Sequence, residues 1–124
     1  MRDDMGENVL IELSLEFGIK IVRLYEYLCD NKKEFIMSKQ LLRSGTSIGA
    51  NINEANYAVS KADFINKMQI ALKETAETEY WLRLLAKAGY IGNEYGKIRE
   101  SCLSIKRMLI ATLNTSKSSP KATP

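Results

Sequence analysis

The 124-residue sequence predicts an all-α protein, an antiparallel up-down-up-down four-helix bundle that works as an oligomer. Three observations carry this. Apolar residues recur at steps of three and four along four separate stretches, the period of a helix face. Both prolines, Pro120 and Pro124, lie in the last five residues, so nothing before them forbids long helices. Cap and turn residues separate the stretches at short intervals, and helices joined by short loops pack as antiparallel neighbours.

The first helix is expected from about Asn8 to Asp30. Leu10, Leu13, Phe17, Ile21, Leu24 and Leu28 form its main stripe, with Asp4 and Glu7 as a capping pair ahead of it. A second stripe, Ile11, Leu15, Ile19, Val22 and Tyr25, widens the apolar face beyond a coiled-coil seam, so this helix needs more than one neighbour. Asn31–Glu34 reads as a loop, and the second helix spans Ser38 to about Val59. At its centre Gly45 and Gly49 lie four apart, on one face. Each glycine costs about 1 kcal/mol in a helix relative to alanine, which points to close approach of another backbone. No Gly-Lys-Ser/Thr sequence follows, which excludes a phosphate-cradling loop.

Ser60 with Asp63 forms a capping box for the third helix. Phe64, Met68, Ala71, Thr75, Thr78, Leu82 and Leu85 then follow a seven-residue repeat. Gly89 is placed to end that helix in a left-handed turn. Asn93 is the expected N-cap of the fourth helix, whose stripe is Tyr95, Ile98, Cys102, Ile105, Leu109 and Thr112. The bundle domain is drawn over 1–115, and the polar tail 116–124 is read as disordered. Ile65, Leu72, Trp81 and Leu84 on the third helix, and Leu103 and Ile110 on the fourth, lie off the main stripes. One seam cannot bury both sets, so these residues are the candidate oligomer interface.

The absence of histidine removes histidine-based triads, acid–base catalysis and metal sites. Cys29 and Cys102 are too far apart for a zinc motif and read as reduced core thiols. Glu74 and Glu77 are better placed to pair with Arg43, Lys73 or Arg83 than to act as an acid–base couple. No enzyme activity, cofactor, metal or small-molecule substrate is expected. No apolar run approaches the roughly 18 residues of a membrane span. With an acidic start in place of a signal peptide, the expectation is a cytoplasmic protein without membrane contact. The net charge of +3 is uneven: residues 1–16 carry one basic and five acidic side chains, a net −4, which leaves +7 for the remainder. Such a surplus suits a polyanionic partner. Lys32, Lys33, Lys39, Lys97, Arg99, Lys106 and Arg107 are the candidate nucleic-acid contacts. Gln40, Arg43, Ser47, Asn51 and Glu54 line one side of the second helix and read as a polar network that fixes helix register or marks a subunit junction.

The run Gln40-Leu-Leu-Arg-Ser-Gly-Thr-Ser-Ile-Gly-Ala-Asn-Ile-Asn-Glu-Ala55 resembles the helix-two signature of a bacterial four-helix bundle family. That family is named for proteins encoded in intervening sequences of large-subunit ribosomal RNA genes. Lys61–Glu74 and Tyr80-Trp-Leu-Arg-Leu-Leu85 resemble its third helix, and the match extends over about residues 8–113. The family is similar in fold to the accessory protein of diversity-generating retroelements. The resemblance implies a barrel-like homopentamer of antiparallel four-helix bundles. In the retroelement relative it also implies a basic surface that works with nucleic acid. The expected role is a non-catalytic oligomeric adaptor for RNA or a ribonucleoprotein; the alternative is a protein-binding scaffold without nucleic-acid contact.

Overall fold

The computed structural model describes residues 4–118, with side chains from Val9 to Lys117. Four helices form: α1 (Asp4–Asp30), α2 (Met37–Ala55), α3 (Lys61–Lys87) and α4 (Glu94–Ser118). No strand is present among the described residues. The expected Asp4/Glu7 capping pair and residues 119–124 of the tail lie outside the described side chains, while 116–118 continue α4 past the boundary drawn at 115.

The predicted stripes are the core. Phe17, Ile21 and Leu28 of α1, Leu41 and Ile48 of α2, the whole seven-residue repeat of α3, and Cys102, Ile105 and Leu109 of α4 are buried. Leu13 and Tyr95 are only partly buried, and Ser14, Ile91 and Leu113 join the interior instead. α2 packs on α1 and α3, α4 packs on α3, and the contact of α1 with α4 is the slightest of the four helix pairings. The α1–α2 and α2–α3 pairings run in opposite chain directions. Gly45 faces Ile21 while Gly49 faces Ser14. Arg43 pairs with Glu77 while Glu54 pairs with Lys67.

Local chemistry sets the boundaries. α2 stops at Ala55, four residues before its expected end near Val59. The Asn56 N–H still reaches Ile52 and Asn53 carbonyls, but Val59 N–H is taken by the Asp63 carboxylate of the next helix. Ser60, in extended backbone, accepts from Asp63 N–H at 3.0 Å and so caps α3. At the other end Gly89 takes φ +90°. Tyr90 N–H bonds Leu85 carbonyl and Gly89 N–H bonds Ala86 carbonyl, the paired closure of a Schellman turn.

Candidate functional site

Helix pairing in the centre of the molecule depends on small residues. A Cβ built on Gly45 would lie 2.8 Å from Ile21 Cγ2 and 2.9 Å from Cγ1, so α1 and α2 meet there at a distance only glycine permits. A Cβ on Gly49 would lie 3.3 Å from Ser14 Oγ. Between α2 and α3, the buried Thr78 hydroxyl donates to the Glu74 carbonyl and lies 2.9 Å from the buried Ser44 hydroxyl. Thr75 donates to Ala71 carbonyl at 2.7 Å. These hydroxyls stay in the core because each finds a carbonyl one turn back or a partner across the seam.

The polar residues of α2 divide among three kinds of partner. Arg43 bridges two carboxylates of α3, Glu74 at 3.2 Å and Glu77. Trp81 Nε1–H donates to the same Glu77 at 3.1 Å. The Arg43 hydrogen bond, then that of Trp81, hold the Glu77 carboxyl below its ordinary range against the upward push of desolvation. Ser47 donates to Arg43 carbonyl and Asn51 to Ser47 carbonyl, both within α2. Glu54 pairs with Lys67 of α3 at 3.5 Å, and Gln40 is exposed. Both carboxylates of the Glu74/Glu77 pair are thus occupied by a guanidinium.

The candidate basic residues separate into two groups. Arg99 and Lys106 of α4 both lie against Glu79 of α3, at 3.7 and 3.5 Å, so part of their charge is compensated. Arg107 is exposed on the same helix. Lys32 and Lys33 are exposed in the α1–α2 connection, where Lys33 takes φ +55°, and Lys39 is exposed in the first turn of α2. Lys97 is exposed in the first turn of α4. The helix pairings bring the 31–36 and 88–93 connections to the same end of the molecule. Phe35 and Ile36 project there at 51% and 78% exposure, and Lys32 Nζ stands 6.0 Å from the Tyr27 ring centre. Phe35 and Ile36 are not legible as a surface feature in the sequence, because single apolar residues in a polar stretch carry no periodic signal.

The same connection holds a cap that sequence reasoning also missed. The buried Glu34 carboxylate accepts N–H bonds from Ile36, Met37 and Ser38, the last at 2.7 Å. Desolvation pushes its pKa up, but the N–H donors of Met37, Ser38 and Ile36 outweigh it and leave the carboxyl below its ordinary value. The available signal was an acidic residue three positions before the first turn of a helix.

Among the candidate interface residues, Ile65, Leu72 and Trp81 pack partly buried on the core, Leu84 and Leu103 are half-buried, and Ile110 is 39% exposed. More apolar surface is open on α1, where Leu15 and Ile19 are more than half exposed. They border a groove of about 470 Å³ between α1 and α2. No group of histidine, cysteine or carboxylate side chains among the described residues is arranged to hold a metal. No described helix is long and apolar enough to cross a membrane.

Comparison with known proteins identifies relatives of this arrangement. The family model for 23S rRNA-intervening sequence proteins matches residues 7–111. A solved structure of a protein of unknown function from the S23 ribosomal protein family, from Bacteroides thetaiotaomicron, is 55% identical. It superposes with a TM-score of 0.87 over 89% of this chain and 99% of its own. No curated protein matches.

Proposed function

This chain belongs to the 23S rRNA-intervening sequence protein family, and from that premise we propose that it is a non-catalytic, oligomeric RNA-binding adaptor. Each subunit is an antiparallel up-down-up-down bundle, as the opposed helix pairings favour, and copies join in a barrel-like ring, the resemblance implying five. The observation that carries the RNA reading is the loop end, which bears exposed Lys32, Lys33, Lys39 and Lys97, none in an ion pair among the described residues, together with exposed Phe35 and Tyr27. Lysines neutralise phosphates, and an exposed aromatic ring offers a face on which an unpaired base stacks. A ring of +3 chains multiplies this field and places several such ends on one object. Arg107 extends the basic surface along α4, while Arg99 and Lys106 serve mainly to hold α4 against α3 through Glu79.

The test is retention of structured and single-stranded RNA against salt. Binding is expected to weaken steeply as salt rises, and Lys32→Glu with Lys33→Glu is expected to reduce affinity at least tenfold while the helical spectrum is kept. Phe35→Ala should weaken single-stranded RNA more than duplex. Absence of any RNA shift at low salt, with an oligomeric sample, would overturn the reading. The second reading, a protein-binding scaffold without RNA contact, draws on the apolar α1–α2 groove. It predicts a partner that survives nuclease treatment and the Lys32/Lys33 substitutions.

A further inference from the structure

We infer that the α1–α2 groove is the socket for the outward face of α3 from a second copy of this chain, with Tyr80 as the inserted side chain. The inference rests on the reading that copies associate and is independent of RNA. The groove is lined by Ile11, Leu15, Ile19 and Val22 of α1, with the small Gly49 and Ala50 of α2 on its other side. Leu15 is 58% and Ile19 52% exposed, in adjacent turns of one face. From Ile11 to Val22 the trough is about 16 Å long at the helical rise, the length of three turns. Apolar area of this kind on a folded chain marks a contact surface, and a trough with a small-residue wall admits a helix.

The occupant is read from charge. The one charged side chain lining the groove, Arg23, is paired with Glu26, and Lys20 donates to Ser101 of α4, which leaves Glu12 and Glu16, exposed next to Ile11 and Leu15 in sequence, as the charge on the rim. Two such faces brought together would oppose carboxylates to carboxylates, so the groove does not match itself. The outward stripe of α3 supplies the complement. Lys73, Ala76, Tyr80, Arg83 and Lys87 recur at steps of three and four, and all are exposed. Three of them are cationic, and Tyr80, 56% exposed, stands at the centre with its ring braced edge-on by Trp81 at 5.1 Å. Trp81 is itself tied to Glu77 and through it to Arg43, so the α2–α3 polar cluster holds the plug in place. The outward stripe of α4, by contrast, has Lys97, Glu100, Ser104, Arg107 and Ala111 and offers no large apolar side chain. A socket and a plug on different faces of one subunit make a head-to-tail contact, which closes into a ring when its rotation allows.

The experiment uses the full chain and two variants, measured by light scattering after gel filtration at about 20 µM, with circular dichroism as the check on folding. Leu15→Glu with Ile19→Glu spoils the socket; Tyr80→Glu spoils the plug. Each alone is expected to run as the 14.0 kDa subunit. Mixed in equal amounts they are expected to form a complex of twice that mass, because each retains one sound half of the contact. Monomers that stay monomeric on mixing would overturn the head-to-tail assignment, and oligomers that survive either substitution would overturn that half of it. A wild-type chain that is itself monomeric would remove the premise of association, and is distinguished from those results by needing no variant. If a substituted chain fails to fold, the rims give a second route. Glu12→Lys with Glu16→Lys is expected to weaken association about tenfold at low salt, and adding Lys73→Glu with Arg83→Glu to restore it. No recovery in the combined variant would count against the pairing of these two faces.

Discussion

At Gly45 two opposite effects meet, and their sizes decide the outcome. Alanine there would gain about 1 kcal/mol of helix propensity. Its methyl would also enter the space of Ile21, whose Cβ-branched atoms sit at the base of the side chain and cannot swing aside. Overpacking of this kind costs roughly 1–3 kcal/mol. Gly45→Ala is therefore expected to lower stability by up to about 2 kcal/mol in urea unfolding, whereas a gain would show that α1 and α2 separate easily. The two thiols differ just as locally. Burial, then the nearby Glu79 carboxylate, push the Cys102 thiol up to about 12. From its ordinary value of 9.0 this leaves roughly a thousandfold less thiolate, the reactive form. Cys29 is only half-buried. A thiol reagent should label Cys29 in the native protein and Cys102 only on unfolding; rapid labelling of both would contradict the packing around α4. The sequence made both sites visible as small residues on an apolar face. The identity of the facing atom, Ile21 or Glu79, came only with the fold.

Helix ends show where sequence patterns stop being sufficient. Ser60/Asp63 and Gly89 were legible because their chemistry is local: a hydroxyl three residues before an amide, and a backbone that takes φ +90°. The start of α2, expected at Ser38, falls at Met37, but its cap was not legible, because it comes from Glu34, outside the helix, in a stretch that reads as a polar loop. The expected end of α2 falls four residues late because Val59 continues the Ile48, Ile52, Ala55 spacing yet projects into solvent at 92% exposure. The Glu34 cap has a pH signature with a definite sign. Its folded pKa lies below the ordinary 4.5, so it stabilises fully above that value and loses the contribution as pH falls through the folded pKa. Glu34→Gln is expected to cost about 1 kcal/mol at neutral pH, within the range of a lost helix cap. The difference from wild type should shrink below pH 4.5 and vanish under the folded pKa. A difference that persists unchanged at pH 3 would mean the carboxylate charge is not what caps α2.

For the molecule as a whole, the sequence carried the four helices and the surplus of apolar surface, and the unsettled matter was which face holds the surplus. The candidate residues on α3 and α4 followed from counting stripes. Stripes, however, do not say which neighbour covers a face, and the cover over Ile65, Leu72 and Trp81 is largely the subunit's own core. On α1 the second stripe stays open at Leu15 and Ile19, because α2 reaches the groove only with small side chains. An open face of this kind links stability to concentration. Folded copies that associate are stabilised by mass action while unfolded chains are not, up to about 2.7 kcal/mol for a hundredfold rise in concentration. For a domain of this size that corresponds to a Tm increase of roughly 5–10 °C between about 1 and 100 µM. The Leu15→Glu/Ile19→Glu chain, with its socket removed, should melt at one temperature across the same range. A wild-type Tm that does not move would mean that the subunit carries this open groove as a stable monomer, and the account of its assembly would fall with it.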